Sequence, residues 1–314
     1  VAHLYVPALE KGKGVPASVS KNIVTGLLKE KLGYKGLIIT DALNMGAVAK
    51  RYKPGELDAL AFKAGNDIML FSDGVKEGKR LIQLAIDKKE ISQNRVDESV
   101  KKILLTKYFL GLNEYQPRNP ENINEDINNE SHQKLVQKLY SKALTLIKDE
   151  QKLLPLHCKE TYYYVPLEEA PFETFANQLN LNTTVIVKKA SEIATIPENS
   201  KVIVGLHKDN STAYKPYKIS ENSKKILAEL SKNQKIILNV FGSAYALKDL
   251  DITKISTVLV AYENNDDSMK AVAEALSGKT PISGRLPVLV NEQLKAGAGM
   301  DLNIPAKNEL IKKN

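Results

Sequence analysis

Apolar and polar positions along the chain alternate between two periods. In "SVSKNIVTGLLKEKLG", Ile23, Val24, Leu27, Leu28 and Leu32 recur at helical spacing; capping-type serines stand at 18 and 20, and Gly33 ends the run. In contrast, "AHLYV" (2–6), "GLIIT" (36–40) and "DIMLF" (67–71) are continuous apolar runs of strand length, the pattern of parallel strands covered on both faces. Residues 7–17, with Gly12, Gly14 and Pro16, read as a loop. Further helices are predicted at about 56–64, 75–88 and 94–110, the last stopping at Gly111. Strands alternating with helices imply right-handed βαβ units and a parallel sheet. A strand spacing of about 30 residues suits a (β/α)8 TIM barrel, of which this segment supplies only three strands. Residues 1–112 are therefore expected to be the C-terminal part of such a barrel, with its earlier strands outside this chain.

"NEYQPRNPENINEDINNE" (113–130) has no apolar period and reads as a linker. A long amphipathic helix, "HQKLVQKLYSKALTLIKDE" (132–150), is predicted after it. Strands are then expected at 161–167, 183–188, 201–206, 235–241 and 256–262, with helices near 172–179, 220–232 and 266–277 between them. Residues 131–314 thus read as a second α/β domain, an open and largely parallel sheet in an α/β/α sandwich-like arrangement.

The totals narrow the function classes. The chain has 314 residues, 43% hydrophobic and 26% charged, the balance of a globular protein. Its net charge of +8 comes from Lys and Arg spread along the whole length, not clustered as in a nucleic-acid site. A solvated basic surface explains that spread; weak attraction to a polyanion such as an acidic cell-wall polymer is the functional alternative. Cys158 is the one cysteine, so no disulfide forms within the chain and no cysteine-based zinc site exists. His157 stands next to it, but neighbours on an extended segment point to opposite faces, which favours a structural role for the pair. No apolar run is long enough to span a membrane. The opening "VAHLYVPALE" has neither an initiator Met nor a signal-type pattern and does not read as a natural N-terminus. It leaves the compartment open.

Asp41 closes the strand in "KGLIITDALNMGAV" (35–48), and in a parallel barrel the active site lies at such strand ends. Three roles compete. Asp is a good helix N-cap. It is also a metal ligand, although the nearest comparable carboxylate is Asp73 after "DIMLF". Finally, an ionised, rigidly held carboxylate can attack an anomeric carbon and form a covalent glycosyl–enzyme.

The run "SVSKNIVTGLLKEKLGYKGLIITDALNMGAV" resembles the nucleophile region of glycoside hydrolase family 3, most closely the bacterial N-acetyl-β-glucosaminidases acting on cell-wall fragments. "AGNDIML" and "VDESVKKILLTKYFLGL" resemble the next strand and closing helix of the family's barrel. "SKALTLIKDEQKLLPL" (141–156) and "GKTPISGRLPV" (278–288) resemble segments of its second domain. The resemblance implies that Asp41 is the catalytic nucleophile. Thr-Asp-Ala at 40–42, in a chain with no Trp, departs from the Ser-Asp-Trp usual in the family's β-glucosidases and favours the glucosaminidase branch. That branch takes its acid/base His and the supporting Asp from an upstream loop, and neither motif occurs here; His3, His132, His157 and His207 all lack that context. The implied enzyme is a retaining exo-β-N-acetylglucosaminidase of peptidoglycan fragments (muropeptides), needing no cofactor and no metal. Its proton donor is expected on a barrel segment upstream of this chain. A family 3 β-glucosidase and a non-catalytic carbohydrate-binding remnant are the alternatives. The family's relatives work in different compartments; periplasmic or extracellular is favoured, with cytoplasmic open.

His3 corresponds to an Ala-His pair common in the family's sixth strand, near the sugar, although a satisfied core histidine is the simpler reading. Asn44 and Met45 are expected to line the sugar pocket, Met45 alternatively packing a helix. Ser72 and Asp73 read better as a loop cap than as substrate contacts. Gly242-Ser243 is a weak anion-site pattern, and "SGKT" (277–280) lacks the spacing of a phosphate loop.

Overall fold

The computed structural model describes residues 1–117, 119–209 and 217–304. The chain is mixed α/β and divides into two compact units, Val1–Asn119 and Pro120–Asn314.

In the first unit the three expected strands become short extended segments. Thr40 N–H donates to the Ile68 carbonyl at 3.0 Å, Ile68 N–H donates to that of Ile38 at 3.1 Å, and Ile39 and Ile68 form a parallel bridge. On the other side, Asp41 N–H donates to the Val1 carbonyl at 2.8 Å and the Val1 amine donates to that of Ile39 at 2.6 Å. Val1, residues 38–41 and residues 67–70 thus lie side by side, with 38–41 in the middle. The predicted strand at 2–6 does not form. Its Leu4 carbonyl accepts from Ala17 N–H at 2.8 Å, in a loop contact, and Leu4 and Tyr5 are exposed.

A π-helix (Asn22–Lys31) leads to a left-handed Gly33, and a one-turn helix α1 (Gly46–Ala49) follows the middle segment. Helices α2 (Glu56–Ala64), α3 (Val75–Asp87) and α4 (Gln93–Phe109) lie close to the predicted ranges. Gly111 ends α4 at φ 72°, a conformation glycine adopts without Cβ strain.

A short α5 (Ile123–Ile127) precedes α6 (Glu130–Ala143) in the second unit. The helix predicted to run to residue 150 ends at Ala143, and Thr145–Asp149 is strand β1, antiparallel to β6 (Thr257–Val260). Leu144 and Leu146 pack into the core on one face of the sheet and Ile147 packs against the core on the other, the alternating sides of a strand. Strands β2 (Thr161–Leu167), β3 (Thr184–Val187), β4 (Lys201–His207), β5 (Lys235–Phe241) and β6 are mutually parallel, and the sheet order is β1-β6-β5-β4-β2-β3.

Both faces of this sheet are covered, which explains its unbroken apolar strands. Tyr162, Tyr164, Ile203, Ile237 and Leu259 pack on one face with residues of α7 (Glu173–Asn180) and α9 (Asp266–Leu276). Val202, Val204, Ile236, Leu238 and Val258 pack on the other with Leu227 and Leu230 of α8 (Glu221–Asn233). The chain reverses direction across the sheet between β2 and β4. Doubly wound folds often bind ligands in the crevice at such a switch point. Here Lys208 occupies it, 3.0 Å from Glu168 and 2.9 Å from Glu169.

Candidate active site

Asp41 emerges at the end of the middle segment of the first unit. Its Oδ1 accepts from Ala42 N–H at 2.9 Å, the side chain is partly exposed, and Oδ2 has no protein partner among the described residues. The helix-cap reading does not hold: the next helix, α1, begins at Gly46, and its N-cap position is Met45. Among the described residues no group of three His, Cys, Asp or Glu side chains could hold a metal ion. What remains is a half-exposed carboxylate held by one backbone amide at a strand end.

The neighbouring backbone is fixed from three sides. Thr40 is buried and its Oγ1 accepts from Leu70 N–H at 3.0 Å, while Leu43 N–H donates to the Leu70 carbonyl at 2.8 Å. His3 Nε2 lies 3.0 Å from the Ala42 carbonyl and its Nδ1 lies 2.6 Å from Ser18 Oγ. A carbonyl only accepts, so Nε2 carries the proton and Nδ1 accepts from the serine hydroxyl. Asn66 Nδ2 in turn donates to the Ser18 and Ala61 carbonyls, at 2.7 Å each. His3 therefore braces the turn after Asp41, with both ring nitrogens engaged by protein.

Asn44 and Met45 are exposed on that turn, Met45 by 44%. Met45 is not packed into the core, and its N–H donates to the same Ala42 carbonyl at 3.1 Å. Ser72 Oγ accepts from Gly74 N–H at 3.2 Å and shapes the loop into α3. Ser243 caps the short helix Ala244–Asp249, and His157 and Cys158 are exposed in a turn before β2.

The residue sequence reasoning missed is Asp67. Its side chain is fully buried; Oδ1 accepts from Ser99 Oγ at 2.6 Å and Arg95 Nη1 at 3.1 Å, and Oδ2 accepts from Ile38 N–H at 3.0 Å and Lys102 Nζ at 3.2 Å. Burial pushes its pKa up, but the hydrogen bonds from Ser99, Ile38 and Lys102, with the Lys102 charge, hold it below the ordinary carboxylate range. Arg95 also donates to the Gly65 and Asn66 carbonyls and stacks over Phe62. Asp67 thus joins the middle segment, its neighbour and α4. The available signal was an acid inside an otherwise apolar strand.

Comparison with known proteins gives a family match for part of the chain. Residues 1–106 match the glycosyl hydrolase family 3 N-terminal domain. A beta-hexosaminidase A of Pseudoalteromonas piscicida is 26% identical over 357 aligned positions, covering 92% of this chain and 57% of that protein. A beta-N-acetylglucosaminidase/beta-glucosidase of Cellulomonas fimi is 26% identical over 164 positions, 50% of this chain and 29% of that one. A family 3 beta-N-acetylglucosaminidase structure from Paenibacillus sp. str. FPU-7 superposes with a TM-score of 0.66 at 22% identity, over 94% of this chain and 57% of that one; this likeness concerns the fold. The chain spans little more than half the length of the hexosaminidase.

Proposed function

We propose that this chain is the nucleophile-bearing part of a retaining exo-β-N-acetylglucosaminidase that acts on peptidoglycan fragments, with Asp41 as the nucleophile. The observation that supports it most is the placement of Asp41 at the strand end, its backbone locked between Val1 and Ile68–Leu70 and one carboxylate oxygen open to a ligand. In this reading the open oxygen attacks the anomeric carbon as the glycosidic C–O bond breaks. The leaving oxygen takes a proton from an acid on an upstream barrel segment. Water, deprotonated by that same group, then releases the sugar from Asp41. Exposed apolar residues on the first unit, such as Leu104 (58%) and Phe109 (81%), fit a role for α4 in covering further barrel strands.

The Thr40-Asp41-Ala42 sequence and the hexosaminidase relative favour an N-acetylated sugar, while the Cellulomonas fimi relative keeps β-glucosides in the comparison. The test uses the enzyme together with its upstream barrel segment. Chromogenic N-acetyl-β-glucosaminide should be hydrolysed faster than the β-glucoside, and Asp41→Ala should lower the rate by more than about 10³. A fluorinated N-acetylglucosaminyl donor should label the Asp41 peptide, as read by mass spectrometry. Unchanged turnover in Asp41→Ala would refute the assignment, and preference for the β-glucoside would move the enzyme to the other branch.

A further inference from the structure

The second unit carries a cleft of about 930 Å³ that none of the chemistry above uses. Tyr217 and Tyr245 form one wall, their rings 5.9 Å apart and tilted by 51°, each residue 39% exposed. Val290 and Leu289 supply apolar lining, and Lys248, Glu292 and Lys295 line the same cleft. The loop that carries part of this lining is set in advance: Asn291 Oδ1 accepts from Gln293 N–H at 3.1 Å and Leu294 N–H at 2.8 Å, and Val290 and Leu294 are buried. Lys248, Glu292 and Lys295 make no ion pair among the described residues. Two cations and one carboxylate therefore border two rigid aromatic faces.

We propose that this cleft binds an acidic saccharide, a sugar chain bearing carboxylates. A pyranose ring offers a flat C–H face to an aromatic ring and hydroxyls to polar side chains. Tyrosine supplies that contact area at a low cost in side-chain entropy. Lys248 and Lys295 attract the carboxylate, and Glu292 accepts from hydroxyls. A purely apolar ligand would leave all three charges unused, and an acidic peptide would not need the two ring faces. The volume lies near the top of the ~300–1,000 Å³ range of small-molecule sites, enough for more than one ring. The proposal is independent of the role of Asp41.

The test titrates the full chain with a hyaluronan tetrasaccharide, cellotetraose and tetraglutamate, following heat and tyrosine-ring NMR shifts. The hyaluronan fragment should saturate, and Tyr245→Ala and Tyr217→Ala should each weaken it about tenfold, ~1.4 kcal/mol. Tyr245→Phe should retain binding, and Lys248→Glu with Lys295→Glu should reduce the hyaluronan fragment to the level of cellotetraose. Circular dichroism checks that each variant folds, and the two lysine changes carry the test if an alanine variant does not. No ring shift at ~10 mM ligand would overturn the proposal, since that limit leaves less than about 3 kcal/mol of binding. Equal binding of cellotetraose by the unaltered chain would overturn the acidic assignment, and equal binding of tetraglutamate would overturn the saccharide assignment.

Discussion

His3 Nε2 donates to the carbonyl oxygen of Ala42 at 3.0 Å, which ties the start of the chain to the residue that follows Asp41. Ser18 fixes the other ring nitrogen, and Asn66 holds the backbone of Ser18. If Asp41 is the nucleophile, His3 is a positioning residue. In the active polypeptide, His3→Ala should lower kcat by roughly 10²-fold, the usual cost of an ångström-scale misplacement, with little change in KM. His3→Gln, which can still donate to Ala42, should recover much of the loss. A rise in KM at constant kcat would instead make His3 a substrate contact.

The Asp67–Arg95 pair is the main polar tie of the first unit. Arg95→Met leaves the buried Asp67 without its guanidinium partner and should destabilise the first unit by about 3–5 kcal/mol, read by denaturant unfolding. Because the Asp67 pKa is depressed on folding, its contribution is present above the ordinary carboxylate range and is lost as the pH falls through and below that range. Asp67→Asn should flatten this acid limb. An Arg95→Met effect under ~0.5 kcal/mol, the scale of ordinary surface changes, would show that the network is not a structural tie.

His207 gives the second unit its own pH response. The ring is fully buried, stacks on Phe241 at 4.5 Å, and bonds to Tyr164 Oη and Asn264 Oδ1, both at 2.6 Å. Asn264 Nδ2 already donates to the Pro171 carbonyl, so His207 Nδ1 carries the proton and donates to Oδ1, and Nε2 accepts from tyrosine. Burial lowers its pKa from 6.5 to about 4, outweighing the Asn264 hydrogen bond and the Glu173 charge. The unfolded chain then binds a proton that the folded chain refuses. The stabilisation is complete above pH 6.5 and is lost as the pH falls towards 4, on the order of 3 kcal/mol in all. His207→Gln should remove this slope in thermal unfolding between those limits; an unchanged slope would exclude His207 as its source.

Gly284, in the segment "GKTPISGRLPV", lies against the start of β1. Its N–H donates to the Leu144 carbonyl at 3.1 Å, and a Cβ there would strike the carbonyl oxygens of Leu144 and Ala143. Gly284→Ala should cost about 1–3 kcal/mol, the scale of overpacking, and loosen β1 in hydrogen exchange. Gly297, whose added Cβ would meet nothing within 4 Å, is a control for crowding, although its φ of 86° still favours glycine.

The sequence by itself determined most of the α/β order. Helices α2, α3, α4, α8 and α9 and the strands β2 to β6 follow from apolar period and run length; the central strands β4, β5 and β6 are buried almost throughout, which is why they read as unbroken apolar runs. Motif resemblance singled out Asp41, but period and capping chemistry could not separate a cap from a catalyst. Only the tertiary structure removed the cap: it starts the next helix at Gly46, with Met45 at its N-cap, and leaves the nucleophile as the role proposed for Asp41. It also turned 145–149 from helix to edge strand, since partner hydrogen bonds from β6 outweigh a local helical pattern. Asp67 with Arg95, His3 with Ala42, and Tyr217 with Tyr245 are pairs between 28 and 39 residues apart. Such partners are chosen by packing and charge in three dimensions, and no local pattern along the chain encodes them.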